Sequence, residues 1–143
     1  MFETILLATD GSDAAMNATG TALELADRFD ATLHALFVID HRFVAHEFDA
    51  VVEKAEAEGE NALEQVEAEA ETVGRDITLH LRRGIPHDEI IDAIDDYGAD
   101  LVVVAATGAS GLDRVVNLGS TAERVIRRAS VHVMVAPPPG VEG

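Results

Sequence analysis

A chain of 143 residues, 48% of them hydrophobic and none of them cysteine, is long enough to bury a substantial core, and it excludes a disulfide framework or a thiolate metal site. Its 27 acidic residues against 10 basic ones give a formal net charge of −17, which repels nucleic acid. The longest apolar runs fall far short of the roughly 20 residues of a membrane span. No basic region precedes the apolar part of MFETILLATD, so a soluble, cytoplasmic protein without membrane or nucleic-acid partners is expected.

Lys54 is the one lysine, and the other basic residues are arginines. The acid is spread along the chain rather than gathered in a tail. That pattern points to a halophilic surface, because at molar salt the Debye length shrinks to roughly 3 Å and self-repulsion is screened.

Glu3–Thr9 is apolar and β-rich and reads as a first strand. Ser12 or Asp13 can cap a helix to about Phe29, with Ala15, Ala18, Ala22, Leu25 and Ala26 at helical spacing. Thr32–Val38 reads as a second strand and Ile39–Glu47 as a loop. Phe48–Val73 is helical: Val52, Ala55, Ala62, Leu63, Val66, Ala70 and Val73 form a stripe, glutamates cover the other side, and Gly74 is a stop. Asp76–Leu81 is a third strand. Pro86 starts a helix whose Ile90, Ile91 and Ile94 face inward until Gly98 ends it. Leu101–Ala106 is a fourth strand, Gly119–Arg128 a fourth helix, and Val131–Ala136 a fifth strand stopped by Pro137–Pro139.

Strict alternation of strand and helix predicts right-handed crossovers and one α/β domain over residues 1–143, built on a doubly wound parallel sheet. The strands are continuous apolar runs, as burial on both faces requires. Ligands in such sheets sit beyond the carboxyl ends of the strands, where the winding reverses. The loops of interest are therefore Ala8–Asp13, Val38–Asp40 and Ala105–Thr121.

In the last of these, Gly108 and Gly111 permit tight turns, and Gly119, Ser120 and Thr121 begin a helix. Helix N-termini expose unpaired N–H groups and the positive end of the macrodipole, so a phosphate can be held there without a lysine. Read on glycines alone, the simpler account of the same residues is a turn at Gly108 and an N-cap at Ser120. Arg114, inside this loop, can reach a phosphate; Arg124, Arg127 and Arg128 read as surface pairs or helix C-terminal complements. The six histidines show no metal-binding spacing, and structural or solvent-facing roles are expected for all of them. There is no GxSxG elbow and no serine–histidine–acid set.

Several stretches together resemble the universal stress protein family in its small, UspA-like form: ILLATDGS, ALFVID, GIPHDEIIDAIDDYGADLVVVAA and GSTAERVIRRASVHVMVAPP. The resemblance implies an open five-stranded parallel sheet of the adenine nucleotide alpha hydrolase-like, Rossmann-like type, with strand order 3-2-1-4-5. Nucleotide-binding members carry G-x2-G-x9-G-[S/T]. Here Ala105 stands at the first glycine, Gly108 at the second and Gly119–Ser120 at the final pair, with ten residues rather than nine before Gly119. The family's usual Val-Thr after that pair is Thr121-Ala122. The resemblance places Asp10 and its neighbours Ala8 and Thr9 near adenine and ribose, and the backbone of Val38 against the adenine. Asp10 could equally cap the first helix. It also implies ATP or AMP as ligand, with any Mg2+ carried by the phosphates, and a homodimer through the apolar edge strand 131–136.

The function implied is that of a nucleotide-binding stress sensor or regulator acting on a protein partner the sequence does not identify. A slow ATP hydrolase or nucleotidyl transferase is the enzyme alternative, although no positioned general base is evident. A scaffold that binds no nucleotide is the other, and Ala105 is the feature that favours it.

Overall fold

Every strand among the described residues runs in the same direction. The computed structural model describes residues 1–43, 49–106 and 118–137. In chain order they form β1 (Thr4–Ala8), α1 (Asp13–Phe29), β2 (Thr32–Asp40), a 3₁₀ turn (His41–Phe43), α2 (Asp49–Thr72), β3 (Thr78–Gly84), α3 (Pro86–Tyr97), β4 (Leu101–Ala105), α4 (Ser120–Arg128) and β5 (His132–Ala136). The sheet order is β3-β2-β1-β4-β5, parallel throughout. This is the α/β, Rossmann-like arrangement with order 3-2-1-4-5 that the sequence led us to expect.

Because the winding reverses after β3, α1 and α2 cover one face and α3 and α4 the other. On the first face Ile5, Leu7, Leu33, Leu101 and Val103 meet Ala18, Ala22 and Ala26 of α1 and Leu63, Val66 and Ala70 of α2. On the second, Leu6, Leu36, Val102 and Val104 meet Ile90, Ala93 and Ile94 of α3 and Ala122 and Val125 of α4. β1 lies at the centre, and Ile5, Leu6 and Leu7 are each 0% exposed. Its apolar run without alternation is what a strand needs when both faces are covered.

The helix ends follow local chemistry. Ser12 caps α1 by accepting from the Ala15 amide at 3.2 Å. α3 starts with Pro86 and ends at Gly98, which takes the left-handed conformation (φ 68°).

Two boundaries differ from the sequence reading. β2 runs on through Ile39 and Asp40, and a 3₁₀ turn follows where a loop was expected; residues 44–48 of that stretch lie outside the described residues. β3 is shifted toward the C-terminus and includes Arg82 and Arg83, paired with Val38 and Ile39. β3 is an edge strand whose burial alternates, so it tolerates charge where a central strand would not. Among the described residues, no helix is long and apolar enough to cross a membrane.

Candidate functional site

The strands end at different heights, and this makes a crevice. The last bond from the β1 side to β2 is Thr9 N–H to Leu36 C=O, 2.9 Å. β2 continues four residues further, still paired on its other side with β3 as far as Asp40↔Gly84. In a parallel sheet alternate residues bond to opposite neighbours. Val38, two residues after Leu36, therefore turns its N–H and C=O toward the β1 side, where β1 has already ended. Among the described residues these two groups have no partner.

The β1–α1 turn forms the floor on that side. Thr9 is buried, and its hydroxyl accepts from the Gly11 amide at 3.2 Å. Gly11 has φ 77°, which favours glycine, and it lets the chain turn into α1. The Asp10 carboxylate accepts from the Ser12 amide at 2.9 Å. The helix cap is Ser12, so Asp10 is not the N-cap; it braces the turn with one oxygen and is solvent-exposed.

Opposite stands the start of α4. Gly119 occupies the N-cap, in an extended conformation with φ −60° and no side-chain cap bond, and Ser120 is the first helical residue rather than the cap. The Gly119 amide is already committed to the Ala106 carbonyl at 2.7 Å. The donors offered to a ligand are consequently the amides of Ser120, Thr121 and Ala122, which no intrahelical carbonyl can reach. Among the described residues they have no partner, and the positive end of the helix dipole lies with them.

These elements enclose a cavity of about 470 Å3, within the roughly 300–1,000 Å3 range of small-molecule sites. Ala8, Thr9, Asp10, Val38, Ala105, Gly119, Ser120 and Thr121 all line it. Gly108 and Arg114 lie outside the described residues. Ala105 sits in regular β pairing with Ala136 and is not among the residues with positive φ. An alanine is thus acceptable to the backbone there, and its side chain packs toward the α1 and α2 face rather than the α3 and α4 face.

Sequence reasoning missed the rest of the wall. Leu36, Val104, Pro86 and Ile90 give it an apolar side, and Asp40 and Arg42 a charged rim. The Arg42 guanidinium donates from Nε to Asp40 Oδ1 at 2.9 Å and from Nη2 to Oδ2 at 2.6 Å, and the Arg42 amide donates to Oδ1 at 3.0 Å. These bonds, chiefly the side-chain ones, hold the Asp40 carboxyl below the usual carboxylate range. A signal existed: the apolar run ALFVID continues past Val38, so an overhanging strand end was readable.

No histidine among the described residues lines the cavity, and His46 lies outside them. His34 Nδ1 lies 2.8 Å from His80 Nε2, with ring centroids 5.1 Å apart and planes 19° apart. That centroid separation is about the largest such a contact allows, so the two rings share an in-line N–H···N bond. Tyr97 lies nearly parallel to both. Of the α4 arginines, Arg127 pairs with Glu123 at 3.0 Å and Arg128 with Asp88 of α3, the surface roles expected of them. Among the described residues, no group of three or more metal-ligating side chains could hold an ion.

The model of the universal stress protein family matches residues 1–137. A universal stress protein of Methanocaldococcus jannaschii, MJ0531, is 36% identical over 147 aligned positions, covering 99% of this chain and 86% of that one. The solved structure of universal stress protein UspA from Lactobacillus plantarum is similar with a TM-score of 0.81 at 30% identity, covering 94% of this chain and 97% of that one. A universal stress protein crystallised in complex with cAMP shares the fold, with a TM-score of 0.76 at 24% identity over 96% of this chain and 98% of that one.

Proposed function

The chain belongs to the universal stress protein family, and from that premise we propose that it binds an adenine nucleotide, ATP or AMP, in the crevice at the carboxyl ends of β1, β2 and β4. One observation carries the reading. Two sets of unpaired backbone groups face a single cavity of nucleotide size, and each suits a different end of the ligand. The Val38 N–H and C=O form a donor–acceptor pair matching the ring nitrogen and amino group on one edge of adenine. The amides of Ser120, Thr121 and Ala122, with the Ser120 and Thr121 hydroxyls, suit phosphate. Leu36, Ile90 and Val104 provide apolar contact for the base between them. Asp10, exposed at the turn, suits ribose hydroxyls. Any Mg2+ arrives on the phosphates, held by their oxygens.

Among the described residues no positioned general base accompanies these groups, and the reading is therefore one of occupancy as the working function. The nucleotide stabilises the folded form by mass action and changes what a partner protein meets at the crevice. The protein acts as a regulator, and as a homodimer. β5 ends the sheet, with Val133, Met134 and Val135 only partly buried, and an apolar edge of this kind invites pairing with a second copy.

The test uses protein purified in molar salt, denatured, with the released small molecules chromatographed for adenine compounds, followed by calorimetric titration with ATP. Gly119→Val keeps an allowed backbone but sets a branched side chain beside the donor amides. We expect it to weaken ATP binding at least about tenfold, as the loss of one or two good hydrogen bonds would. Equal binding by wild type and variant means the phosphate seat is wrongly placed. The second reading, a scaffold that binds no nucleotide, draws on Ala105 standing where nucleotide-binding members carry a glycine; wild type that neither carries nor takes up adenine compounds would favour it.

A further inference from the structure

We propose that Arg42, held in place by Asp40, covers the nucleobase end of the crevice and contributes to base binding by laying its guanidinium plane on the ring. This rests on the reading of the crevice as a nucleotide site and goes beyond it by adding a recognition element from the overhanging end of β2. The observations are geometric. β2 outruns β1 by four residues beyond Leu36, so Asp40 and the turn after it stand above the crevice on the β2 side. From there to the start of α4 the distance spans β1 and β4, roughly 10 Å at about 4.8 Å per strand. Arg42 thus belongs to the end opposite the phosphate donors, where the Val38 backbone and the apolar wall lie.

Its side chain is already ordered. The two bonds to the Asp40 carboxylate use one edge of the guanidinium, and the backbone amide of Arg42 fixes the same carboxylate from below. What remains is the opposite edge and the two faces of a planar cation whose side chain is 55% exposed. Little conformational freedom is left to lose when a ligand arrives. Among the described residues lining the cavity, Arg42 is the one cation, beside the carboxylates of Asp10 and Asp40. In a chain of net charge −17 its position also cancels the charge of Asp40, which would otherwise repel an anion entering the crevice.

Stacking on the base and contact with phosphate make different demands, and a ligand series separates them. Adenosine, AMP and ATP are titrated into wild type, Arg42→Ala, Arg42→Lys and Asp40→Asn in molar salt, with circular dichroism confirming that each variant is folded. Arg42→Ala is expected to weaken all three ligands by a similar factor of about ten, the middle of the range for a cation on an aromatic face. Arg42→Lys recovers only part of that, since it keeps the charge and loses the plane. Asp40→Asn, which frees the guanidinium, gives an intermediate loss. If Arg42→Ala leaves adenosine binding unchanged, or if its effect grows with the number of phosphates, the assignment is overturned while the nucleotide site stands. Wild type that binds none of the three overturns the reading of the crevice, and this inference with it.

Discussion

The two faces of the sheet use the same strands for opposite purposes. On one, α1 and α2 have 17 and 24 residues and lie against the strands along their length. α1 presents almost only small side chains inward: Ala14, Ala15, Ala18, Thr19, Ala22 and Ala26. The buried Thr19 hydroxyl is satisfied by the Ala15 carbonyl at 3.0 Å, so nothing polar is left over. On the other face α3 and α4 have only 12 and 9 residues. Their first turns, Pro86 and Ile90 on one side and Gly119–Ala122 on the other, flank the cavity instead of closing over it. The site arises where packing is withheld: short helices leave one face open at its upper end, and strands of unequal length leave backbone groups without partners beside it, while the other face is covered.

The sharpest way to separate the faces is a cavity on the closed one. Leu7 is fully buried against α1 and α2. Leu7→Ala is expected to lower stability by about 3 kcal/mol, the transfer loss plus the void it leaves. Urea unfolding in molar salt reads this, and ATP affinity measured below the transition should not change. An affinity that falls along with the stability would show that the closed face is not independent of the crevice.

A smaller effect follows from the charge carried outside each face. On α2, Glu53, Glu56, Glu60, Glu64, Glu67 and Glu71 form a chain of like charges three and four residues apart, with Lys54 the one cation of that helix. Each such pair costs about 0.2–0.5 kcal/mol when unscreened, and the five together about 1–2.5 kcal/mol. On α4, by contrast, Glu123 and Arg127 attract. We propose a surface adapted to salt: moving from molar salt to dilute buffer should lower the melting temperature and speed amide exchange in α2 more than in α4. A melting temperature that stays flat, or exchange rising equally in both helices, removes this difference between the faces.

The closed face was largely legible in the sequence, except that Val73, placed in the α2 stripe, lies past the end of that helix and is exposed. Its helices announce themselves by alanines and leucines at helical spacing, and the central strands by unbroken apolar runs, because burial alone decides those residues. The crevice was legible in part. Ser120 and Thr121 mark a helix start, and Asp10 marks a turn. The commitment of the Gly119 amide to Ala106 could not be read, because it depends on how the chain returns to the sheet. Asp40 and Arg42 were missed because the site they line is made by a difference in length between β2 and β1: the run ALFVID hints at the long end of β2, but where β1 stops beside it shows only in the assembled sheet. The His34–His80 pair was invisible for the same reason: residues 46 positions apart meet only once β2 and β3 are in register.

That pair makes the smallest effect, on the open face but at the edge far from α4. An N–H···N bond needs one ring to donate and the other to accept. A first added proton keeps the bond but puts a charge beside Arg82, and a second leaves two N–H groups facing each other. The Arg82 guanidinium is itself bound by Glu89 at 2.9 Å and Asp96 at 2.9 Å, and Tyr97 covers both rings. His34 is held below its ordinary pKa by burial, and His80 by burial and then by the nearby His34 and Arg82. An unfolded histidine titrates near about 6.5. The unfolded chain therefore binds more protons below that value, and the pair's contribution to stability, complete above it, is lost as the pH falls toward the depressed folded values. Between about pH 7.5 and about 5.5 most carboxylates stay ionised, so the histidines dominate the difference. In molar salt, wild type should lose more stability across that window than the double variant His34→Gln, His80→Gln. Parallel pH profiles for the two proteins would mean that the edge of the open face does not sense protons.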